Sequence, residues 1–427
     1  MSKYVHIAPG TPPAKWQVRV PGSKSITNRV LLLAGVASGK STLRSPLVAD
    51  DTNAMVSALR GLGVAIDERP EDDGSFSWIV EGLGGPPNGH EEVHVGMGAT
   101  VGRFMVPMLA AGGGRFAIDS HAQLRRRPLG PVLTALRAQG ASIEGEAFPL
   151  VLGACGLAGG DVEVDGSISS QFLSGLLMAA PFARADTRLH FDALVSKPYL
   201  ELTLSAMRAF GVPVDVAPSA LSVSRGAYRA TNLAIEPDVS TASYFLASAA
   251  LTGTTVRLPG LDRRVTAQGD IELVGFLEQM GCSVTDGAAL ELTGPKQLRG
   301  VQVNMVNSSD VFMTLACVAP FAEGPTTIEG IGHARVKESD RIAACAENLE
   351  RLGIKVEQGP DWMRIHPGRP QGTSLPTYED HRIAMAFSLI GTHDAVMLED
   401  PDVVGKTCPQ FFELWEASGA QVIMGEQ

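Results

Sequence analysis

A chain of 427 residues, 44% hydrophobic and 19% charged, is long enough for at least two domains with cores of their own and too apolar to be disordered. Its net charge of −11 leaves no basic surplus for a phosphodiester backbone, which excludes nucleic acid as a main partner but not a local basic cleft for a small anion. The five cysteines, at 155, 282, 317, 345 and 408, form no C-x-x-C pair, so zinc or thioredoxin-like chemistry has no support and no metal is expected. Sparse unpaired cysteines fit a reducing compartment, the start MSKYVHIAPGTPP has no apolar signal core, and no long apolar run reads as a membrane span; the cytoplasm is the expected location.

The first informative stretch is Pro21-Gly22-Ser23-Lys24-Ser25-Ile26-Thr27-Asn28-Arg29. A Pro-Gly turn leads into polar residues, and an apolar helix is expected from Val30 to Ala37, ending at Ser38-Gly39. Ser and Thr at a helix start cap free N–H groups, the helix dipole adds positive character, and Lys24 and Arg29 add two charges. The arrangement suits a phosphate or carboxylate.

Two elements then recur along the chain. One is a helix end followed by Gly and a short strand, at Gly63, Gly140, Gly211, Gly281, Gly353 and Gly419, spaced 66 to 77 residues apart. The other is a polar loop opening a helix of small apolar residues: Ser25–Arg29, Ala99–Arg103, Ser169–Phe172, Ser240–Tyr244, Ser308–Val311 and Asp380–Ile383. Six units of about 70 residues divide naturally into two α/β domains of three. The expected division is residues 21–235 for one domain, and 1–20 with 236–427 for the other. If the capped helices are equivalent, their positive ends converge on a cleft between the domains that takes an anionic ligand.

Four loops carry more cations than folding needs. Of the three arginines in Arg125-Arg126-Arg127-Pro128, two read as solvated, and the one before Pro sits in backbone able to project it into a cleft. In Arg335-Val-Lys337-Glu338-Ser339-Asp340-Arg341, Lys337 and Arg341 would share one helix face at i, i+4. Tyr378-Glu-Asp380-His381-Arg382 places a cap and an arginine at a nonpolar helix, and Lys406 follows a Pro-Asp turn. The stretch Gly35-Val-Ala-Ser-Gly39-Lys40-Ser41 is one residue short of a P-loop and follows a helix rather than preceding one, and no GxGxxG follows a first strand.

Taken in order, PGSKSITNR, Arg127-Pro128, Ser169-Ser170-Gln171, Ser196-Lys197-Pro198-Tyr199, VKESDRI, YEDHRIAMAFSL and Lys406-Thr407 resemble the 5-enolpyruvylshikimate-3-phosphate synthase family over roughly residues 21 to 415. The resemblance implies a two-domain inverted α/β barrel, each domain built of three βαβαββ units. It implies transfer of the enolpyruvyl group of phosphoenolpyruvate to the 5-hydroxyl of shikimate 3-phosphate, with no metal or cofactor. By the same resemblance Ser25, Arg29, Ser169, Ser170, Gln171, Ser196, Tyr199, Asp310 and Lys337 hold shikimate 3-phosphate. Ala99, Arg127, Gln171, Arg341, Arg382 and Lys406 border or hold phosphoenolpyruvate, and Lys24 serves both ligands.

The chemistry asks for these residue types. Protonation at C3 of phosphoenolpyruvate makes C2 cationic, the 5-hydroxyl attacks it, and the tetrahedral intermediate then loses the C3 proton and phosphate. One group must give and retake the C3 proton and another must take the hydroxyl proton. Asp310 and Glu338 match the family's acid–base carboxylates, with Lys24 assisting, and arginines suit phosphate and carboxylate through paired donors. Two anionic substrates also imply an open form that closes on binding.

Two departures stand out. Ala99 occupies a position that is usually Gly beside the phosphoenolpyruvate site, so its methyl is expected to crowd longer ligands such as glyphosate and to weaken phosphoenolpyruvate binding. His333 stands where Asn is frequent. The UDP-N-acetylglucosamine enolpyruvyl transferases share fold and donor, but their Lys-Asn start and loop cysteine are absent here. A paralogue acting on another cyclic phosphate and a non-catalytic anion binder are the remaining readings, and the second is disfavoured because Lys24, Asp310 and Glu338 are all present. A monomer is expected.

Overall fold

The computed structural model describes residues 3–72 and 74–426. The chain divides into two compact units, Gly22–Ile235 and Met1–Pro21 with Glu236–Gln427, and each has its own apolar core. Among the described residues are six four-stranded sheets and one two-stranded sheet.

The four-stranded sheets share one topology. In the second repeat, Asn88–His94 runs parallel to Gly113–Asp119, which pairs antiparallel with Leu150–Cys155, and that strand pairs antiparallel with Ser142–Glu144. A parallel pair needs a crossover, here the helix Ala99–Ala110. The third and fifth repeats follow the same order. Each unit is closed by its chain ends. In Gly22–Ile235 the late strand Asn232–Ala234 lies parallel to Ser38–Arg44 of the first repeat. In the other unit Lys15–Gln17 lies parallel to Thr255–Pro259, and Lys3–Ala8 inserts between Val396–Glu399 and Gln421–Glu426, antiparallel to both.

The crossover helices are apolar beyond their polar first turns and lie buried, whereas the second helix of each repeat is amphipathic. Every residue of Ala99–Ala110, Phe312–Val318 and His381–Phe387 is buried. Arg341–Arg351 buries Ile342, Cys345 and Leu349 and turns Glu347 and Arg351 to solvent. Helices therefore occupy the middle of each unit with sheets around them. Small residues allow this packing: a Cβ on Gly175 would lie 2.2 Å from the carbonyl oxygen of Arg103, so the helices Ser170–Ala179 and Ala99–Ala110 meet only because that residue is Gly.

The six helix-ending glycines all take left-handed backbone, with φ between 81° and 112°, which only Gly adopts at little cost. The helix starts differ from expectation. The first helix spans Lys24–Val36, not Val30 to Ala37, and takes Lys24, Ser25, Thr27, Asn28 and Arg29 into its first turns. Two of these residues bond outside the helix: Thr27 Oγ1 accepts from the Leu47 amide at 3.1 Å, and Arg29 donates to Thr203 and Tyr199. Ser23 makes no side-chain cap bond there. In the fourth repeat the cap is Asp238 rather than Ser240, accepting from the Thr241 amide at 2.7 Å. Among the described residues no helix is long and apolar enough to cross a membrane.

Candidate active site

The sequence-predicted residues gather in two clusters, one in each unit. In Gly22–Ile235 most sit at the starts of the three buried helices Lys24–Val36, Ala99–Ala110 and Ser170–Ala179, with Ser196 and Tyr199 at the start of Lys197–Ala209 and Arg127 in the turn before Pro128. The Lys24 ammonium lies 3.3 Å from Asp51, a buried carboxylate in the first turn of Asp50–Gly61. Arg29 is 1% exposed. Its Nε donates to Thr203 Oγ1 at 2.8 Å, Nη1 to the Ser25 carbonyl at 2.7 Å and Nη2 to the Tyr199 carbonyl at 2.9 Å. Its guanidinium lies 5.0 Å from the Phe104 ring centre, and burial pushes its pKa down to about 10.

Arg103, which the sequence reading did not single out, organises the Ser-Ser-Gln turn. Its Nη1 donates to Gln171 Oε1 at 3.0 Å and to Ser169 Oγ at 3.3 Å, and Nη2 donates to the Pro128 carbonyl at 2.9 Å. The Phe172 ring backs the guanidinium at 4.7 Å. Gln171 Nε2 in turn donates to Thr100 Oγ1 at 3.1 Å, which fixes the direction of its amide. Ser169 caps its helix by accepting from the Gln171 amide. Ser170 is buried, and Ala99 is the buried first residue of its helix. Arg125 is held by Asp119 at 2.7 Å, Arg126 is exposed and Arg127 is half-buried beside Pro128. Ser196 precedes Lys197–Ala209 in a left-handed conformation, φ 52°, which is strained for a residue with a Cβ.

In the other unit the network centres on Asp310. Its Oδ1 accepts from Arg341 Nη1 at 3.0 Å and from Lys337 Nζ, and its Oδ2 accepts from Arg382 Nη2 at 2.8 Å. Burial pushes this carboxyl up, but the charges of Arg382, Lys337 and Arg341 outweigh it and hold the group well below the ordinary carboxylate value. Glu338 accepts from Arg341 Nη2 at 2.8 Å and from Lys406 Nζ at 3.1 Å. Arg341 is 1% exposed; burial works against its charge, and Asp380, Glu338 and Asp310 more than compensate.

Asp380 was expected as a cap and also proves to be a counter-ion. It accepts from the Arg382 amide at 3.0 Å, from Arg341 Nε at 2.8 Å and Nη2 at 3.2 Å, and from Ser339 Oγ at 3.0 Å. Tyr378 and Glu379, both with φ near 55°, lead the chain into it. Lys337 and Arg341 do not share a helix face as expected. The helix begins at Arg341 under an Asp340 cap, and Lys337 lies in the preceding loop with ψ −141°, so loop geometry rather than helical spacing brings both cations to Asp310. Lys406 ends the short 3₁₀ helix Pro401–Lys406 and is buried.

Four cations, Lys337, Arg341, Arg382 and Lys406, thus face three carboxylates, Asp310, Glu338 and Asp380, in a site largely withdrawn from water. Such a set leaves one positive charge unbalanced, which suits an anionic ligand, and carries carboxylates suited to proton transfer. The family model for EPSP synthase (3-phosphoshikimate 1-carboxyvinyltransferase) matches residues 10–415. The chain belongs to the EPSP synthase family. Relatives include the 3-phosphoshikimate 1-carboxyvinyltransferase of Nostoc punctiforme, 39% identical over 411 residues that cover 94% of this chain and 95% of that protein. Another is 3-phosphoshikimate 1-carboxyvinyltransferase 2 of Halalkalibacterium halodurans, 41% identical over 95% of this chain and 92% of that protein.

Among solved structures, the EPSP synthase of Acinetobacter baumannii matches with a TM-score of 0.84 at 26% identity, covering 99% of this chain and 100% of that one. The enolpyruvyl transferase NikO of Streptomyces tendae matches with a TM-score of 0.79 at 19% identity over 100% and 99% of the two chains, a likeness of fold alone. The enolpyruvyl transferase fold expected from the sequence is the fold found.

Proposed function

We infer that this EPSP synthase family member transfers the enolpyruvyl group of phosphoenolpyruvate to the 5-hydroxyl of shikimate 3-phosphate and releases phosphate. The observation that carries the reading is Asp310, held ionised by three cations that are themselves suited to oxyanions. An ionised carboxylate is a base, so Asp310 is assigned the 5-hydroxyl proton. Glu338, clasped by Arg341 and Lys406, is assigned the C3 proton, with Lys24 assisting. Arg341, Arg382 and Lys406 are assigned the phosphoenolpyruvate anion, and by the family resemblance Arg127 and Gln171 are assigned the same ligand. An arriving oxyanion competes for cations that now hold Asp310 and Glu338. As those contacts are shared the carboxylates lose positive neighbours and their proton affinity rises, so anion binding itself prepares them to take protons.

Shikimate 3-phosphate is assigned to Ser25, Arg29, Ser169, Ser170, Gln171, Ser196 and Tyr199, with Lys24, Lys337 and Asp310. The support is the fixed donor directions that Arg103 and Thr203 impose on this set. Ala99, buried at the head of its helix, is assigned the role of narrowing the phosphoenolpyruvate site, so the chain is expected to resist glyphosate. Five unpaired cysteines support the cytoplasm as its location, and a monomer is the proposed working form.

Phosphate release is the test, with shikimate 3-phosphate and phosphoenolpyruvate as substrates and UDP-N-acetylglucosamine as the parallel acceptor. Release with shikimate 3-phosphate alone, lost in Asp310→Ala and Arg127→Ala, is the expected result. A folded protein that releases phosphate with neither acceptor overturns the reading in favour of another cyclic phosphate.

A further inference from the structure

Ser309, next to the proposed base, is contacted from two sides. Lys337 Nζ lies 2.9 Å from its Oγ, and His333 Nε2 lies 2.7 Å from the same atom. An ammonium offers only hydrogens, so Ser309 Oγ accepts from Lys337. A hydroxyl has a single hydrogen, and the direction of the bond to His333 follows from what the oxygen already receives. If Nε2 carried a proton, the oxygen would accept from both neighbours and the hydrogen of this buried hydroxyl would have no acceptor among the described residues. If Nε2 is bare, the hydroxyl donates to it, and the sequence Lys337 N–H to Ser309 O–H to His333 Nε2 runs in one direction, each bond polarising the next.

The charges around the ring agree with the bare nitrogen. Burial and the Lys337 ammonium lower the His333 pKa to about 4, with Asp310 acting in the other direction. The remaining charged groups of the turn are engaged elsewhere: Arg335 pairs with Asp340, and Asp361 accepts from the Gly332 amide. The same Lys337 also donates to Asp310, so its aim is set at two points, the carboxylate and the Ser309 oxygen.

We propose that His333 is a positioning residue: its neutral Nδ1–H tautomer accepts the Ser309 hydroxyl hydrogen at Nε2, fixes that hydroxyl, and so holds the Lys337 ammonium on Asp310. The turn Gly332–Val336 thereby sets the geometry of the shikimate 3-phosphate contact assigned to Lys337, which is where the inference rests on the proposed function.

The tautomer is read without any substrate. Protein carrying 15N-labelled histidine is examined by long-range 1H–15N correlation, and the His333 ring is assigned by its loss in His333→Gln. A neutral ring with hydrogen on Nδ1 and a bare Nε2 between pH 8 and pH 5 is expected. An Nε2–H tautomer or an imidazolium in that range overturns the inference, whatever the enzyme's substrate proves to be. Kinetics then test the consequence. His333→Ala is expected to raise KM for shikimate 3-phosphate about tenfold, the scale of one weakened hydrogen bond to a charged group, with KM for phosphoenolpyruvate unchanged. His333→Gln, whose Oε1 can accept the same hydrogen, is expected to recover most of that loss. A folded His333→Ala with unchanged KM, or a Gln variant no better than Ala, overturns the positioning role.

Discussion

Replacing Asp380 by Ala removes a helix cap and the innermost counter-ion of Arg341 in one step. Asp380 is wholly buried and its two oxygens accept four hydrogen bonds, two of them from Arg341. Loss of a cap costs about 1 kcal/mol. Breaking a buried ion pair by removing one partner costs about 3–5 kcal/mol, because the other charge stays buried. Arg341 keeps Glu338 and Asp310, so the lower end applies and a total of about 3–4 kcal/mol is expected. At about 2–4 °C per kcal/mol for a unit of this size, Tm falls by roughly 6–16 °C. Differential scanning calorimetry without ligand, paired with urea unfolding, reads the effect, and only the transition of the unit containing Asp380 should move. Asp380→Asn retains an acceptor for the Arg382 amide and should fall between wild type and Ala. An Ala variant within about 1 kcal/mol of wild type would show that Asp310 and Glu338 alone carry the Arg341 charge, and the account of Asp380 as its main support would be wrong.

Asp270 has one oxygen bound by Ser240 Oγ and the other buried without a partner, and burial with the nearby Asp310 charge raises its pKa from 3.8 to about 7. Between those values the folded state holds a proton that the unfolded state has lost, so stability falls as pH rises; Asp270→Asn should flatten that decline in urea midpoints at pH 5 and pH 8, and an unchanged slope counts against it. Ser196→Gly relieves the left-handed strain that Ser196→Ala retains, so the Gly variant should be about 1 kcal/mol the more stable in urea titration, while both bind shikimate 3-phosphate more weakly. Arg103→Lys cannot reach Gln171, Ser169 and the Pro128 carbonyl together, and should raise KM for shikimate 3-phosphate roughly tenfold; an unaltered KM would show that the Ser-Ser-Gln turn holds itself. Ala99→Gly should lower KM for phosphoenolpyruvate and increase inhibition by glyphosate, measured by phosphate release, and equal inhibition of both forms would remove Ala99 from the account.

The features legible in the sequence are those set by local backbone chemistry. Gly63, Gly140, Gly211, Gly281, Gly353 and Gly419 mark six helix ends because a left-handed residue after a helix demands Gly wherever the chain lies in space. Helix starts were harder, since a polar residue reads as a cap whether it stands before the helix or inside it. Lys24 to Arg29 lie inside, bound to groups such as Leu47, Thr203 and Tyr199 that are close only after folding. The same reason hid Asp51 and Arg103 from the sequence reading: each is one charged residue among many until a partner distant in sequence faces it.

Asp310, Glu338 and Asp380 were found as acid–base groups and a cap but not as counter-ions to the cations, and the difference has a physical cause. Arg127 and Lys406 sit in turns and Arg341 and Arg382 on the first turns of helices, all within polar stretches recognisable in the sequence. A carboxylate that supports them needs only to be near in space. Asp380 and Asp310, 70 residues apart, both hold Arg341 because consecutive repeats place their polar turns side by side within one unit. The sixfold repeat therefore does more than set the fold. By returning the chain to an equivalent turn about every 70 residues, it lets one repeat's carboxylate neutralise another repeat's arginine, and a dense cationic site can fold before any substrate anion arrives.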